Sequence, residues 1–497
     1  MAQRESRPTS RSNTAHEGAS SKDAAEPGIA LVWFRDDLRI RDNPALSAAI
    51  ATGGPVIAAF VLDEESSGIR ALGGASRWWL HNSLASLGEA LADLGIALVL
   101  KRGQTMDLLP EFVSSTGASA VFWNRRYGGV EREIDGRLKS SLRDAGLRVE
   151  SFAASLLFEP WMIRTGQGDP YSVFTPFWRA CLDAPPPRHP HRAPSVQDRS
   201  RSTAPWGDAG VGAHSDDLES WELLPTRPDW AGGLREKWTP GEAEAHRSLE
   251  RFLATGLADY ESERDLPAQD ATSRLSPHLR WGEISPYQVW HSATAARKKA
   301  TGKAAAGATR FLTELGWREF AWHVLFHAPD LATKNWRAEF DAFPWPRLDP
   351  NALRAWQRGR TGIPIVDAGM RELWRTGVMH NRIRMVTASF LTKNLLIDWR
   401  HGEQWFWDTL VDADAANNPF NWQWVAGSGA DAAPYFRVFN PELQADKFDR
   451  ERGYIRANVP EWNTAEYPDP IVDLAETRRA ALAAYEKVRN SRRPPGS

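Results

Sequence analysis

Cysteine is almost missing from this chain: Cys181 is the only one among 497 residues, which excludes an internal disulfide framework. Long apolar runs are missing as well. The longest, such as "VIAAFVL" from Val56, fall far short of the roughly 20 residues that span a bilayer. Charge of one sign is not in excess either. With 61 basic and 63 acidic residues the net charge is −2, so no global field attracts nucleic acid and any such partner must meet a local patch. The opening 28 residues, "MAQRESRPTSRSNTAHEGASSKDAAEPG", lack the apolar core of a secretory signal and read as a disordered arm. These absences together describe a cytosolic protein without membrane partners, and no metal-ligand cluster stands out.

The length exceeds what one hydrophobic core organises, about 250 to 300 residues, so two domains are expected. Over residues 29–160 the short apolar runs "IALVWF", "VIAAFVL", "ALVL", "AVFW" and "LRVESF" alternate with helical stretches. That alternation predicts an α/β domain, a Rossmann-like five-stranded parallel sheet with helices on both faces. No G-x-G-x-x-G follows the first run, so the usual dinucleotide fingerprint is absent from its usual place. Residues 161–240 include "DAPPPRHPHRAPSVQDRSRSTAPWGDAG", too polar and proline-rich for a regular element, and read as an interdomain connector. From 241 to 490 the apolar spacing turns to a period near 3.6, as in "GATRFLTELGWREFAWHVLFHA" and "RIRMVTASFLTKNLL", which predicts an all-helical second domain.

Tryptophan is abundant, at 24 residues, and most lie in the helical part. One stretch, "DADAANNPFNWQW" from Asp412 to Trp424, sets two of them behind acids, asparagines and a proline. Another, "TSRLSPHLRWGEISP" from Thr272, sets Ser276 before Pro277, the pattern of a capped helix start. Free N–H groups and small hydroxyls at such a start suit a phosphate, although plain capping explains the same pattern. In "VMHNRIRM", His380, Asn381, Arg382 and Arg384 gather donors within one turn; this is either a solvated basic face or the lining of a polar cavity.

In this order, "TSRLSPHL", "ELGWREF", "GRTGIPIVDAGMRELWRTGVMHNRIRM", "LLIDWRHGEQWF" and "NWQWVAGSGADAAPYFRVFNP" resemble the DNA photolyase and cryptochrome family, from about Ile29 to Trp462. The resemblance implies an N-terminal antenna domain and a C-terminal FAD-binding catalytic domain. Carried over by position, it implies that Tyr260, Thr272, Ser273, Arg274, Leu275 and Ser276 hold the FAD diphosphate. Asp412 and Asp414 then face the ribityl and isoalloxazine region, with Arg384 paired to Asp412, and Asn418 faces flavin N5. Trp422, Trp399 and Trp345 match the family's electron relay, for which indole suits because its π system is the most readily oxidised of the side chains. Trp424 matches a tryptophan that lines the substrate cavity.

The same likeness implies a substrate. Photolyases acting on (6-4) photoproducts carry two histidines where this chain has Asn381 and Met385, and neither residue donates a proton as an imidazolium does. The cyclobutane pyrimidine dimer is therefore the expected lesion, with Glu314 bonding its carbonyl edge and Trp317, Asn381, Arg382, Met385 and Trp424 completing the lesion and DNA contacts. The implied reaction is light-driven: reduced FAD lends an electron to a flipped-out dimer, the ring opens and the electron returns. Glu131, in "NRRYGGVEREID", is the candidate antenna contact, for 5,10-methenyltetrahydrofolate first, with 8-hydroxy-5-deazaflavin or an empty site as alternatives. UV-damaged DNA is the expected partner of a monomer in a bacterial cytoplasm, at the nucleoid during repair. A cryptochrome-type blue-light receptor without repair activity is the competing reading.

Overall fold

The computed structural model describes residues 28–195, 215–432 and 436–491, so the expected N-terminal arm lies outside the described residues. All five apolar runs form strands: β1 (Ala30–Phe34), β2 (Val56–Leu62), β3 (Leu98–Arg102), β4 (Ala120–Asn124) and β5 (Arg148–Phe152). They pair in parallel in the order β3-β2-β1-β4-β5. Every residue of β1, β2 and β4 is buried, as continuous apolar runs require when helices cover both faces.

Alternate residues feed two cores. Val32, Phe34, Ala58 and Phe60 point into one with α1 (Pro44–Ile50) and α2 (Gly74–Asp93). Leu31, Trp33, Ile57 and Ala59 point into the other with α3 (Thr105–Thr116) and α4 (Gly129–Asp144). The first core also takes in Trp238, Trp281 and Val411, so the α/β domain is seated by this face on the rest of the chain. Strand order reverses between β1 and β4, the place where open α/β sheets take ligands. Here it holds a buried polar cluster in which Asn124 Nδ2 donates to Asp37 Oδ2 at 2.6 Å and to Asn43 Oδ1 at 2.9 Å.

The segment 161–240 departs from a purely irregular connector. It carries α5 (Phe174–Asp183), with Phe174, Phe177, Trp178 and Cys181 buried in the helical domain, and shorter helices at Leu218–Trp221 and Gly232–Lys237. The apolar face of α5 was obscured by the proline-rich stretch that follows it. Beyond Gly241 no strand occurs among the described residues. A 26-residue helix, Gly302–His327, is the axis of one helical core, and Pro364–Thr376, Asn381–Ser389, Trp399–Thr409 and Asn417–Ala426 surround a second.

Candidate flavin and lesion pocket

Between these two helical cores opens a cavity of about 500 Å³, within the range of small-molecule sites. A second hollow of about 430 Å³ adjoins it and shares Tyr260, Ser273, Leu275 and Ser276 as walls. Thr272 and Arg274 line the second hollow, and Glu314, Trp317, Asn381, Arg382, Arg384, Met385, Asp412, Asp414, Asn418, Trp422 and Trp424 line the first. Candidates separated by some 160 positions thus face the same space. Glu131, Trp345 and Trp399 lie elsewhere.

The loop before Ser276 differs from a capped helix start. Ser276 is itself the first residue of the helix Ser276–Arg280, and Leu275, which precedes it, makes no side-chain cap. The full capping box forms at the second serine-proline pair instead: Ser285 Oγ accepts from Gln288 N at 3.0 Å, and Gln288 Oε1 accepts from Ser285 N at 2.8 Å. Because Ser276 has no capping duty, its hydroxyl is left to the cavity. Arg274 takes a positive φ of 55°, uncommon for a residue with a Cβ, and pairs with Asp270 at 2.7 Å.

The helix Asn381–Ser389 begins as the donor-rich reading requires, with its first turn on the cavity and Ile383, Val386 and Thr387 in core. His380 caps it: Nδ1 accepts from Arg382 N at 3.2 Å, while Nε2 lies 2.9 Å from the Arg264 carbonyl. These contacts fix a neutral tautomer with the proton on Nε2, and burial lowers the imidazole pKa to about 4. Arg384 donates to Asp412 Oδ2 at 2.9 Å and to the Met379 carbonyl at 2.7 Å. The other oxygen of Asp412, Oδ1, is buried without a hydrogen-bond partner among the described residues. Asp414 is already engaged, since its carboxylate accepts from Ala416 N, Asn417 N and Asn417 Nδ2 and so turns the chain into the helix Asn417–Ala426.

On that helix, Asn418 gives both Nδ2 hydrogens to Glu403, at 3.0 Å to its carbonyl and 2.8 Å to Oε1. Its amide can offer the cavity only an acceptor. Trp422 is fully buried, edge-on to Phe406 with ring centroids 4.9 Å apart, and its Nε1 has no partner among the described residues. Its ring lies over Gly402, where a Cβ would come within 2.1 Å of Cη2. Trp399, buried, opens the helix that carries Gly402 and donates to Asn335 Oδ1 at 3.0 Å. Trp345, half-buried beside Phe343, packs against the same core. The three candidate relay tryptophans therefore share one core, with Trp345 partly exposed, Trp399 buried and Trp422 on the pocket wall.

At the mouth, Glu314 is held by Arg264 and by Arg310, the latter at 3.0 Å. Trp317 stacks on Phe174 of α5 at 3.7 Å with an 11° interplanar angle, so the segment read as a connector backs a pocket wall. Arg382 pairs with Asp265 at 2.6 Å, and Trp424 lies beneath the Arg437 guanidinium, 5.6 Å from it. Sequence reasoning missed Arg264, Lys237, Glu403 and Phe174. Arg264 sits in "ESERDLP", where local charge is indistinguishable from a solvated surface. Lys237 lines the second hollow from the connector, and burial lowers its pKa.

An α/β domain seated on a helical domain that encloses a large polar-rimmed cavity defines a two-domain cofactor protein. Residues 30–195 match the family model described as DNA photolyase, and residues 311–465 match the FAD binding domain of DNA photolyase. The chain belongs to the DNA photolyase family. It is 49% identical to the deoxyribodipyrimidine photo-lyase of Agrobacterium fabrum, over 93% of this chain and 98% of that one. It is 37% identical to cryptochrome-1 of Arabidopsis thaliana, over 93% of this chain and 70% of that one. A crystal structure of a bacterial class III photolyase from Agrobacterium tumefaciens superposes with a TM-score of 0.88 at 47% identity, covering 95% of this chain and 100% of that one. The cofactor class is FAD, and the residues fit it: the buried Asp412 Oδ1 has no donor among the described residues, Asn418 lines the cavity with its amide nitrogen already committed to Glu403, and the hydroxyl-lined loop 272–276 adjoins a second hollow large enough for the rest of a dinucleotide. Among the described residues no helix is long and apolar enough to cross a membrane.

Proposed function

We propose that this protein is a light-driven repair enzyme, a deoxyribodipyrimidine photo-lyase acting on cyclobutane pyrimidine dimers in DNA. The observation that carries the reading is the convergence of flavin-facing and lesion-facing candidates on one cavity. When bound, FAD supplies the light absorption and the electron for ring opening. Tyr260 and the loop Thr272, Ser273, Arg274, Leu275 and Ser276 hold its diphosphate. Asp412, oriented by Arg384, accepts from its ring system or ribityl chain, with Asp414 shaping the turn beside it, and Asn418 presents an acceptor to its N5 edge.

The lesion side is an apolar wall with a polar rim. Trp317 and Trp424 take the faces of the flipped bases, Met385 closes one side, and Glu314 and Asn381 meet the carbonyl and imide edges. Arg264 and Arg310 hold the Glu314 carboxylate in place, and Arg382 contributes a cation for the DNA backbone. A (6-4) substrate is disfavoured because Asn381 and Met385 carry no acidic proton and His380 is neutral, with a pKa of about 4. Trp345, Trp399 and Trp422 pass electrons inward from the surface to restore the reduced state.

Further parts of the proposal are a monomer working in the bacterial cytoplasm, at the nucleoid during repair, and an antenna of 5,10-methenyltetrahydrofolate near Glu131. Glu131 is half-buried in the first turn of α4. A near-ultraviolet absorption band beyond that of FAD in the purified protein tests the antenna; its absence leaves an empty site, and a band at longer wavelength indicates 8-hydroxy-5-deazaflavin.

The function is tested by illuminating the reduced protein with DNA containing thymine dimers and following their disappearance. Loss of dimers beyond one per protein is expected. Flavin photoreduction with no loss of dimers would instead assign the protein to the light-sensing, cryptochrome side of the family.

A further inference from the structure

A loop of the α/β domain is bonded to the helix Trp399–Thr409 without lining the pocket itself. Arg70, between β2 and α2, donates Nη1 to Glu403 Oε1 at 2.7 Å and Nη2 to Oε2 at 2.8 Å, the paired geometry in which a guanidinium fixes the plane of a carboxylate. The guanidinium also lies 4.1 Å over the Trp407 ring. Trp407 Nε1 donates to the Ala71 carbonyl at 2.8 Å, and Gly74 N donates to Asp408 Oδ1 at 2.8 Å. Residues 70–74 therefore grip one stretch of the helix Trp399–Thr409 at several points.

Glu403 is buried, and the oxygen it shares with Arg70 is the one that accepts from Asn418. This decides which way the Asn418 amide faces. Reversing it would set its oxygen against the Glu403 carbonyl and carboxylate, three acceptors without a proton among them. The carboxylate in turn keeps its orientation through Arg70; without that clamp its terminal torsion is broad and the shared oxygen is free to leave the amide.

We propose that Arg70 is a positioning residue: by fixing the Glu403 carboxylate it locks Asn418 with its oxygen toward the flavin, so the α/β domain sets what the N5 edge meets. This rests on the reading above that Asn418 faces the flavin. The test compares Arg70→Met with Arg70→Lys, which retains a charge and one donor direction, in the FAD-loaded protein. The first readout is hydrogen exchange of the Asn418 side-chain amide by NMR with 15N-asparagine, the signal being assigned by its loss in Asn418→Ser. The second is the rate at which air reoxidises the photoreduced flavin.

Arg70→Met is expected to accelerate both by about tenfold, the equivalent of ~1.4 kcal/mol, with the lysine variant intermediate and the KM for dimer DNA unchanged. Trp407→Phe loosens the same interface by removing the bond to Ala71, and is expected to lower the Tm without moving either readout. If Arg70→Met fails to fold, Arg70→Lys and Trp407→Phe still make the comparison. Rates within about twofold of the unsubstituted protein, or equal acceleration by Trp407→Phe, would overturn the positioning role. Failure of the unsubstituted protein to repair dimers would refute the repair reading while leaving the amide-exchange result to be judged separately.

Discussion

Glu283 is fully buried where the two domains and the connector meet, and replacing it measures how much that junction contributes to the pocket. Its Oε1 accepts from Trp79 Nε1 at 3.0 Å, Ser83 Oγ at 2.7 Å and Gly241 N at 2.8 Å, and its Oε2 meets His278 Nδ1. Trp79 and Ser83 belong to α2, Gly241 directly follows the connector, and His278 lies on the short helix that follows the loop 272–276. Glu283→Gln keeps an oxygen for the three donors, and the imidazole can change tautomer to meet the new NH₂. What is lost is charge assistance, ~1 kcal/mol for each of the three bonds, or about 3 kcal/mol. Glu283→Leu leaves four buried donors unmet at ~2 kcal/mol each, or about 8 kcal/mol.

Unfolding entropy of roughly 2.1 cal/mol/K per residue makes one kcal/mol worth about one degree in a chain of 497 residues. Thermal unfolding followed by tryptophan fluorescence should therefore show a Tm about 3 °C lower for Glu283→Gln and about 8 °C lower for Glu283→Leu. The leucine variant should also lose FAD on gel filtration, since the loop 272–276 is no longer tied to α2. Two variants of equal Tm would refute the assignment of the energy to unmet donors.

Two further outcomes follow from the geometry. Gly402→Ala drives a methyl against Trp422, and overpacking of about 1–3 kcal/mol outweighs the gain in helix propensity of ~1 kcal/mol, so the Tm falls and flavin photoreduction slows; an unchanged photoreduction rate would contradict the close approach. His380 has a folded pKa depressed by burial to about 4, below its unfolded value near 6.5, so its contribution is present above pH 6.5 and is lost as pH falls toward 4. Between about pH 7.5 and about pH 5 this amounts to ~2 kcal/mol, which urea unfolding should show as a shallower pH dependence in His380→Asn.

The three inner strands were legible because a parallel sheet covered on both faces buries every residue of its central strands, and the edge strands β3 and β5, less buried and more polar, were placed by their alternation with helical stretches. α5 was not, because its apolar face is short and lies against a proline-rich stretch. In the pocket, residues within motifs such as "TSRLSPHL" and "NWQW" could be named from resemblance, and the structure brings them to two adjoining hollows. The positions of Arg70 and Glu403 could not. They are 333 positions apart, and no local pattern in either segment announces the partner. The misplaced cap shows the converse failure: Ser276-Pro277 and Ser285-Pro286 read alike, and only Gln288, three residues beyond Ser285, completes the box.

The sheet face that takes in Trp238, Trp281 and Val411 has a consequence for chimeras. An α/β domain grafted from another family member would bring its own half of a shared interior, and its α2 would have to supply an indole and a hydroxyl where Trp79 and Ser83 now meet Glu283. Chimeras that exchange α/β domains between relatives should therefore succeed or fail on the match of that hidden seam, with the surface loops of little account.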